Sequence, residues 1–233
     1  MLNEIISIAF FLSGSLLVFI GLYFLKKDYR EYLNQLLSFS MFIMGITMIL
    51  DSIPVLFKNL DFYRMVEYLM VFTICIGAGT FFLAGVTLVK GEISGKSPLY
   101  LLPTVILALL PGAIILISQS IETEITEEQV VVAKWGDIGD LLFIAVLAIF
   151  LFGSLFYFFS VYTSTEGETR YRLKYFIAGM ALMSFFSLGA VIPATLFPEI
   201  LLLSVISIIS VPVSISIGST LIIYGLGKSY SKP

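Results

Sequence analysis

The chain has 233 residues, 59% of them hydrophobic and only 12% charged, with a mean hydropathy of +1.05. That composition excludes an ordinary water-soluble globular domain and points to an integral membrane protein. The formal net charge of −3 hides an uneven distribution of Lys and Arg; with no His, and Cys75 as the sole cysteine, neither an intrachain disulfide nor a multi-cysteine metal site can form.

Seven apolar runs are long enough to cross about 30 Å of hydrocarbon at about 1.5 Å per residue. They lie near 4–25, 35–57, 65–89, 99–118, 138–163, 173–195 and 199–226. Backbone groups in lipid must find partners within their own segment, so the runs are expected to be helices. The expected fold class is all-α: a polytopic bundle of seven transmembrane helices in a single domain, in the cell membrane, with its N-terminus out and its C-terminus in. The first run lacks a basic leader and exceeds a signal-peptide core, so it is expected to be a retained span.

The orientation follows from the connections. With the N-terminus outside, ten of the 13 Lys and Arg fall on cytoplasmic segments (Lys26, Lys27, Arg30, Lys90, Lys96, Arg170, Arg172, Lys174, Lys228, Lys232), and Lys58, Arg64 and Lys134 face outward. Tyr29, Tyr32, Tyr162, Tyr171, Tyr175 and Tyr224 are among the tyrosines that gather at the same inner boundary, as an aromatic belt does. The one long connection, 119–136, is acidic and holds two β-branched stretches around Glu127 and Glu128, which predicts an extracellular β-hairpin. The second and sixth runs close alike, on Ile-Pro at Pro54 and Pro193, a pattern compatible with parallel three-helix repeats around the fourth helix.

Ionisable groups in or near the runs are the candidates for chemistry, because a charge inside a bilayer costs several kcal/mol. Asp51 lies about six residues, or ~9 Å, below the outer end of the second helix, where the macrodipole disfavours an anion. It is therefore expected to be protonated or paired, with Arg64 and Lys58 across the next loop as the nearest partners and Arg64 the one within reach between helices two and three. Glu67 stands in the first turn of the third helix, in the same outer layer. Asp137 and Asp140 share a face at the start of the fifth helix, where capping and the helix dipole account for them. Asp51, Glu67 and Asp140 converge on one layer beside Arg64, Lys134 and Trp135, and a polar ligand-binding pocket open to the outside is the expectation. In the last run Ser207, Ser210, Pro212, Ser214 and Gly218 form a stripe of small residues suited to close helix packing.

Two further activities lack the motifs they need, and membrane-embedded hydrolysis stays only as a third reading behind binding and transport. The string Gly-Asp-Ile-Gly-Asp at 136–140 differs from the GxGD motif of intramembrane aspartyl proteases: Asp137 stands where a glycine is needed, no second YD-type acid precedes it, and Pro193-Ala194-Thr195 replaces the expected PAL. A retinal protein needs a mid-span Lys in the last helix, and none is present.

The seven runs, the β-rich connection ending at Gly136, and the basic entry into the sixth run (Arg170-Tyr-Arg-Leu-Lys-Tyr-Phe-Ile-Ala-Gly179) together resemble the seven-transmembrane sensor region at the N-terminus of many prokaryotic histidine kinases. The resemblance implies a sensor-like or ligand-binding module without enzymatic activity. Such regions feed a cytoplasmic output domain; with the chain ending at Pro233, a separate cytoplasmic or membrane partner protein is expected. The alternative class is a small-solute or ion transporter, a channel, or an accessory subunit of a membrane complex. No cofactor, metal or nucleic acid is expected; the lipid bilayer is the certain neighbour.

Overall fold

The computed structural model describes residues 2–57, 59–119, 121–125, 131–134, 137–196 and 201–227. Among them the chain forms helices α1 (Leu2–Lys27), α2 (Tyr32–Phe57), α3 (Leu60–Lys90), a single turn α4 (Glu92–Gly95), α5 (Pro98–Ser118), strands β1 (Glu122–Ile125) and β2 (Val131–Lys134), then α6 (Asp137–Ser164), α7 (Gly167–Leu196) and α8 (Leu201–Gly227). Five of these helices, α1, α2, α3, α5 and α6, are long and apolar enough to cross a membrane; α8 contributes a shorter apolar stretch, Ile209–Gly225. The chain is a helical bundle of membrane character. The exposed faces agree with that solvent: Ile8, Leu12 and Phe19 on α1, Leu102 and Ile106 on α5, and Phe156 on α6 are all more than half exposed. Apolar surface on that scale suits contact with lipid tails.

The helices begin and end where local chemistry dictates. Asn59 caps α3 by accepting the Phe62 N–H at 3.0 Å, so the helix starts five residues before its apolar run, on Leu60. Ser97 and Pro98 open α5, and Gln119 closes it in a left-handed conformation (φ 50°) with its N–H on the Ile115 carbonyl. The chain then turns into the hairpin, where β1 and β2 pair antiparallel with Glu122 opposite Lys134 and Ile125 opposite Val131. The four-residue α4 between α3 and α5 has no counterpart in the apolar pattern, which carries no signal for one helical turn.

Helix α3 is the central element, packed against α2, α5, α6 and the hairpin. Two apolar clusters fill the bundle. One, near the hairpin, joins Val71 and Cys75 of α3 with Ile115, Ile121, Phe143 and Phe150. The other gathers Phe24, Met41, Phe81, Phe158, Phe176 and Ile222 from α1, α2, α3, α6, α7 and α8. Two helix pairs approach backbone to backbone. A Cβ on Gly14 of α1 would lie 2.5 Å from the Gly45 carbonyl oxygen of α2, and one on Gly179 of α7 would lie 2.5 Å from that of Gly218 in α8. A parallel repeat would pair α6 with α7 as it pairs α1 with α2. The glycine contact instead joins α7 to α8, so the likeness of the Pro54 and Pro193 segments does not extend to packing. Small residues let membrane helices come this close, and the contact energy is dispersion rather than water exclusion.

Candidate functional site

Helix α2 presents Ser40, Thr47 and Asp51 at spacings of seven and four, which places them along one face. That face meets α3. At one level the Ser40 hydroxyl donates to the Gly77 carbonyl at 2.7 Å; two turns along α2 and one along α3 towards the hairpin end, Thr47 Oγ1 donates to Thr73 Oγ1 at 2.7 Å. Asp51 follows, and there α3 supplies Glu67 and Tyr63. Both carboxyl side chains are buried, Asp51 to 4% and Glu67 to 3% exposure, and Tyr63 to 7%. Tyr63 stands one helical turn from Glu67 on α3, and Asp51 lies close enough to Glu67 and Tyr63 for its charge to act on both. The Oδ1 atom of Asp51 has no hydrogen-bond partner. Beside it, Ser7 of α1 donates to the Ser52 carbonyl, and Ser52 Oγ donates to the Ile49 carbonyl at 2.6 Å.

The polar column ends in aromatic packing. Phe81, about 21 Å along α3 from Glu67, stacks on Phe158 with centroids 5.1 Å apart, and Phe158 meets Phe176 at 5.0 Å. Phe24 closes on Phe176 edge to face at 6.2 Å. All four rings are buried.

The structure brings Asp51 and Glu67 together. Arg64 is exposed on α3, and among the described residues no ion pair joins it to Asp51, so the expected bridge does not form. The reason is angular: Arg64 follows Tyr63 by one residue and so points about 100° away from the face that carries Tyr63 and Glu67. Asp137 and Asp140 lie in the first turn of α6, at the hairpin end, with side chains outside those described; Trp135 lies outside the described residues altogether. Among the described residues no group of three or more His, Cys, Asp or Glu gathers to hold a metal.

In the small-residue stripe of α8, the Pro212 carbonyl accepts the Ser13 hydroxyl of α1 at 2.7 Å, Ser13 and Ser216 lie 2.9 Å apart, and Gly218 packs on Gly179. Ser210 and Ser214 bond back to carbonyls of their own helix, those of Ile206 and Val211. The side chain of Ser207 is outside those described. Sequence reasoning missed Tyr63 and the Ser40–Thr47 column. The signal was available in the four-residue spacing of Tyr63 and Glu67 and in the shared face of Ser40, Thr47 and Asp51.

Compared with known proteins, the chain matches no protein-family model and no curated sequence.

Proposed function

We propose that the protein is a non-enzymatic, seven-span protein of the cell membrane, N-terminus out, that acts as a sensor-like binding module for a small polar or cationic ligand reaching it from outside. The observation that carries the reading is the burial of Asp51 and Glu67 side by side at the hairpin end of α2 and α3. Two carboxyl groups withdrawn from water into a bilayer-spanning bundle are expensive unless they serve a partner. Asp137, Asp140, Trp135 and Arg64 belong to the same end by sequence, and would form the rim of the pocket. A separate cytoplasmic protein would carry the signal onward.

The competing reading, a small-solute transporter or channel, needs a polar path through the bundle. Against it stands the cluster of Phe24, Phe81, Phe158 and Phe176, which closes the column below Ser40 and Gly77. The test is a thermal-shift screen of small cations and polar solutes on the purified chain, run beside uptake of every hit into proteoliposomes. Stabilisation without uptake is the expected result. Uptake that stops in the Asp51→Asn variant would establish transport instead.

A further inference from the structure

Resting on that reading for the route of entry, we propose that Asp51 and Glu67 hold one compact monovalent cation, an alkali ion or the primary ammonium group of an organic amine, with Asp51 as its anchor. The argument is a count of donors and charges. Tyr63, one turn from Glu67, is a neutral neighbour that cancels no charge; two carboxyl groups buried side by side share one proton more readily than they both ionise, so the pair carries one negative charge. Asp51 is equally buried, and its Oδ1 receives nothing. The hydroxyls that flank it along the α2 interface are engaged elsewhere: Ser7 donates to the Ser52 carbonyl, Ser52 to the Ile49 carbonyl, and Thr47 to Thr73 or to the Ile43 carbonyl. Among the described residues, the neighbours of Asp51 therefore offer it acceptors without donors. A neutral polar ligand would leave a buried charge unmet; a cation meets it and donates or coordinates at once.

The missing charge is one, not two. Calcium takes six to eight oxygens and magnesium a near-ideal octahedron that keeps several waters. Among the described residues there is no third acid in reach to complete such a shell. An alkali ion or an ammonium group is satisfied by the Asp51 and Glu67 oxygens with the Ser52 or Thr47 hydroxyl as a further acceptor. Tyr63 acts through Glu67, as a positioning residue.

The experiment uses the full chain in detergent and reads unfolding with a thiol-reactive fluorophore at Cys75, which is fully buried in the folded state. Lithium, sodium, potassium, methylammonium, magnesium and calcium chlorides are titrated against N-methylglucamine chloride at constant ionic strength, in mildly acidic and mildly alkaline buffer. A saturable rise in melting temperature with at least one small monocation is expected; the alkali and ammonium arms separate the two sources. In Asp51→Asn the apparent affinity should fall by about tenfold or more, while the ion-free melting temperature stays at or above wild type, which a purely structural Asp51 would not allow. Tyr63→Phe should keep the rise at weaker affinity, and Glu67→Gln gives a second reading should Asp51→Asn fail to fold. The proposal is overturned by the absence of any monocation effect in either buffer, by an Asp51→Asn response equal to wild type, or by a larger effect of magnesium or calcium.

A second measurement separates this inference from the reading beneath it. In an Asp51→Cys, Cys75→Ala background, an impermeant thiol reagent is applied to intact cells. Labelling together with a flat cation titration would refute the cation and keep the outward pocket. A clear titration with no labelling would refute the outward pocket and keep the cation.

Discussion

Replacing Gly179 with alanine isolates what a backbone-to-backbone helix contact contributes. The new methyl would sit 2.5 Å from the Gly218 carbonyl oxygen and 2.8 Å from Ile222 Cγ1. Ordinary contact begins near 3.4 Å, so α7 and α8 must part by close to an ångström, and the first obstacle is backbone that no rotamer change can move. Overpacking of this kind costs about 1–3 kcal/mol. For a chain of this size each kcal/mol lowers the melting temperature by about 2–4 °C. Gly189 on the same helix is the control, because a Cβ there meets nothing within 4 Å. Alanine at Gly189 relieves the conformational entropy of a helical glycine and should stabilise by roughly 0.5–1 kcal/mol. The assay is thermal unfolding of both variants in one detergent. A Gly179→Ala protein that melts with or above wild type would refute the close-approach argument, and equal behaviour of the two variants would show that helix propensity, not interhelical distance, governs these positions.

Arg64→Leu should change stability by no more than about 0.5 kcal/mol, since the side chain is exposed and makes no bridge to Asp51; a large loss on thermal unfolding would revive that bridge. Phe81→Ala removes a fully buried ring stacked on Phe158, and a loss of about 3–5 kcal/mol is expected, read by melting temperature. Thr47→Val breaks the hydroxyl contact with Thr73 and should cost only about 0.6 kcal/mol, the average for hydrogen bonds between membrane helices. Single cysteines at Glu124 and Gly167, in a Cys75→Ala background, test the orientation: impermeant label on intact cells should reach the first and spare the second.

The helices were legible because continuous apolar runs of this length leave the backbone no alternative in lipid, and their cores coincide with what the chain forms. Their ends were less so. The run read as 65–89 begins at Leu60, since Asn59 caps a turn whose Asp61 and Arg64 are exposed; the run read as 173–195 begins at Gly167, carried into solvent by the Glu168–Arg172 pair. Hydropathy marks where a helix is apolar, whereas hydrogen bonding decides where it stops. The hairpin was foreshadowed by its β-branched stretches, which pair as Glu122–Ile125 with Val131–Lys134. In the candidate site the depth of Asp51 and Glu67 could be counted along their helices, so their common layer was readable. The facing of Arg64 was not, because loop proximity says nothing of the rotation of a helix about its axis. Gly14 with Gly45, and Gly179 with Gly218, could not be matched from sequence, where glycines on two helices carry no mark of which pairs meet.

The kind of packing at each interface bears on where a ligand can be accommodated. Helices α1 and α2, and likewise α7 and α8, meet through glycine backbones, and carbonyl oxygens have no rotamer to change. The interface of α2 with α3 is built differently. A Cβ on Gly77 would meet Met44 Cγ and Sδ and Ile43 Cγ2, which are side-chain atoms, and the polar contacts there are single hydroxyl bonds from Ser40 and Thr47. Methionine has three rotatable side-chain bonds and fills irregular space at little cost. A hydroxyl bond between membrane helices is worth a fraction of a kcal/mol, so exchanging it for a bond to another oxygen changes little. The acid layer thus lies on a seam of the bundle that can yield by side-chain movement alone. Charge at Asp51 and freedom to repack around it are located at the same helix pair, and neither property follows from the other.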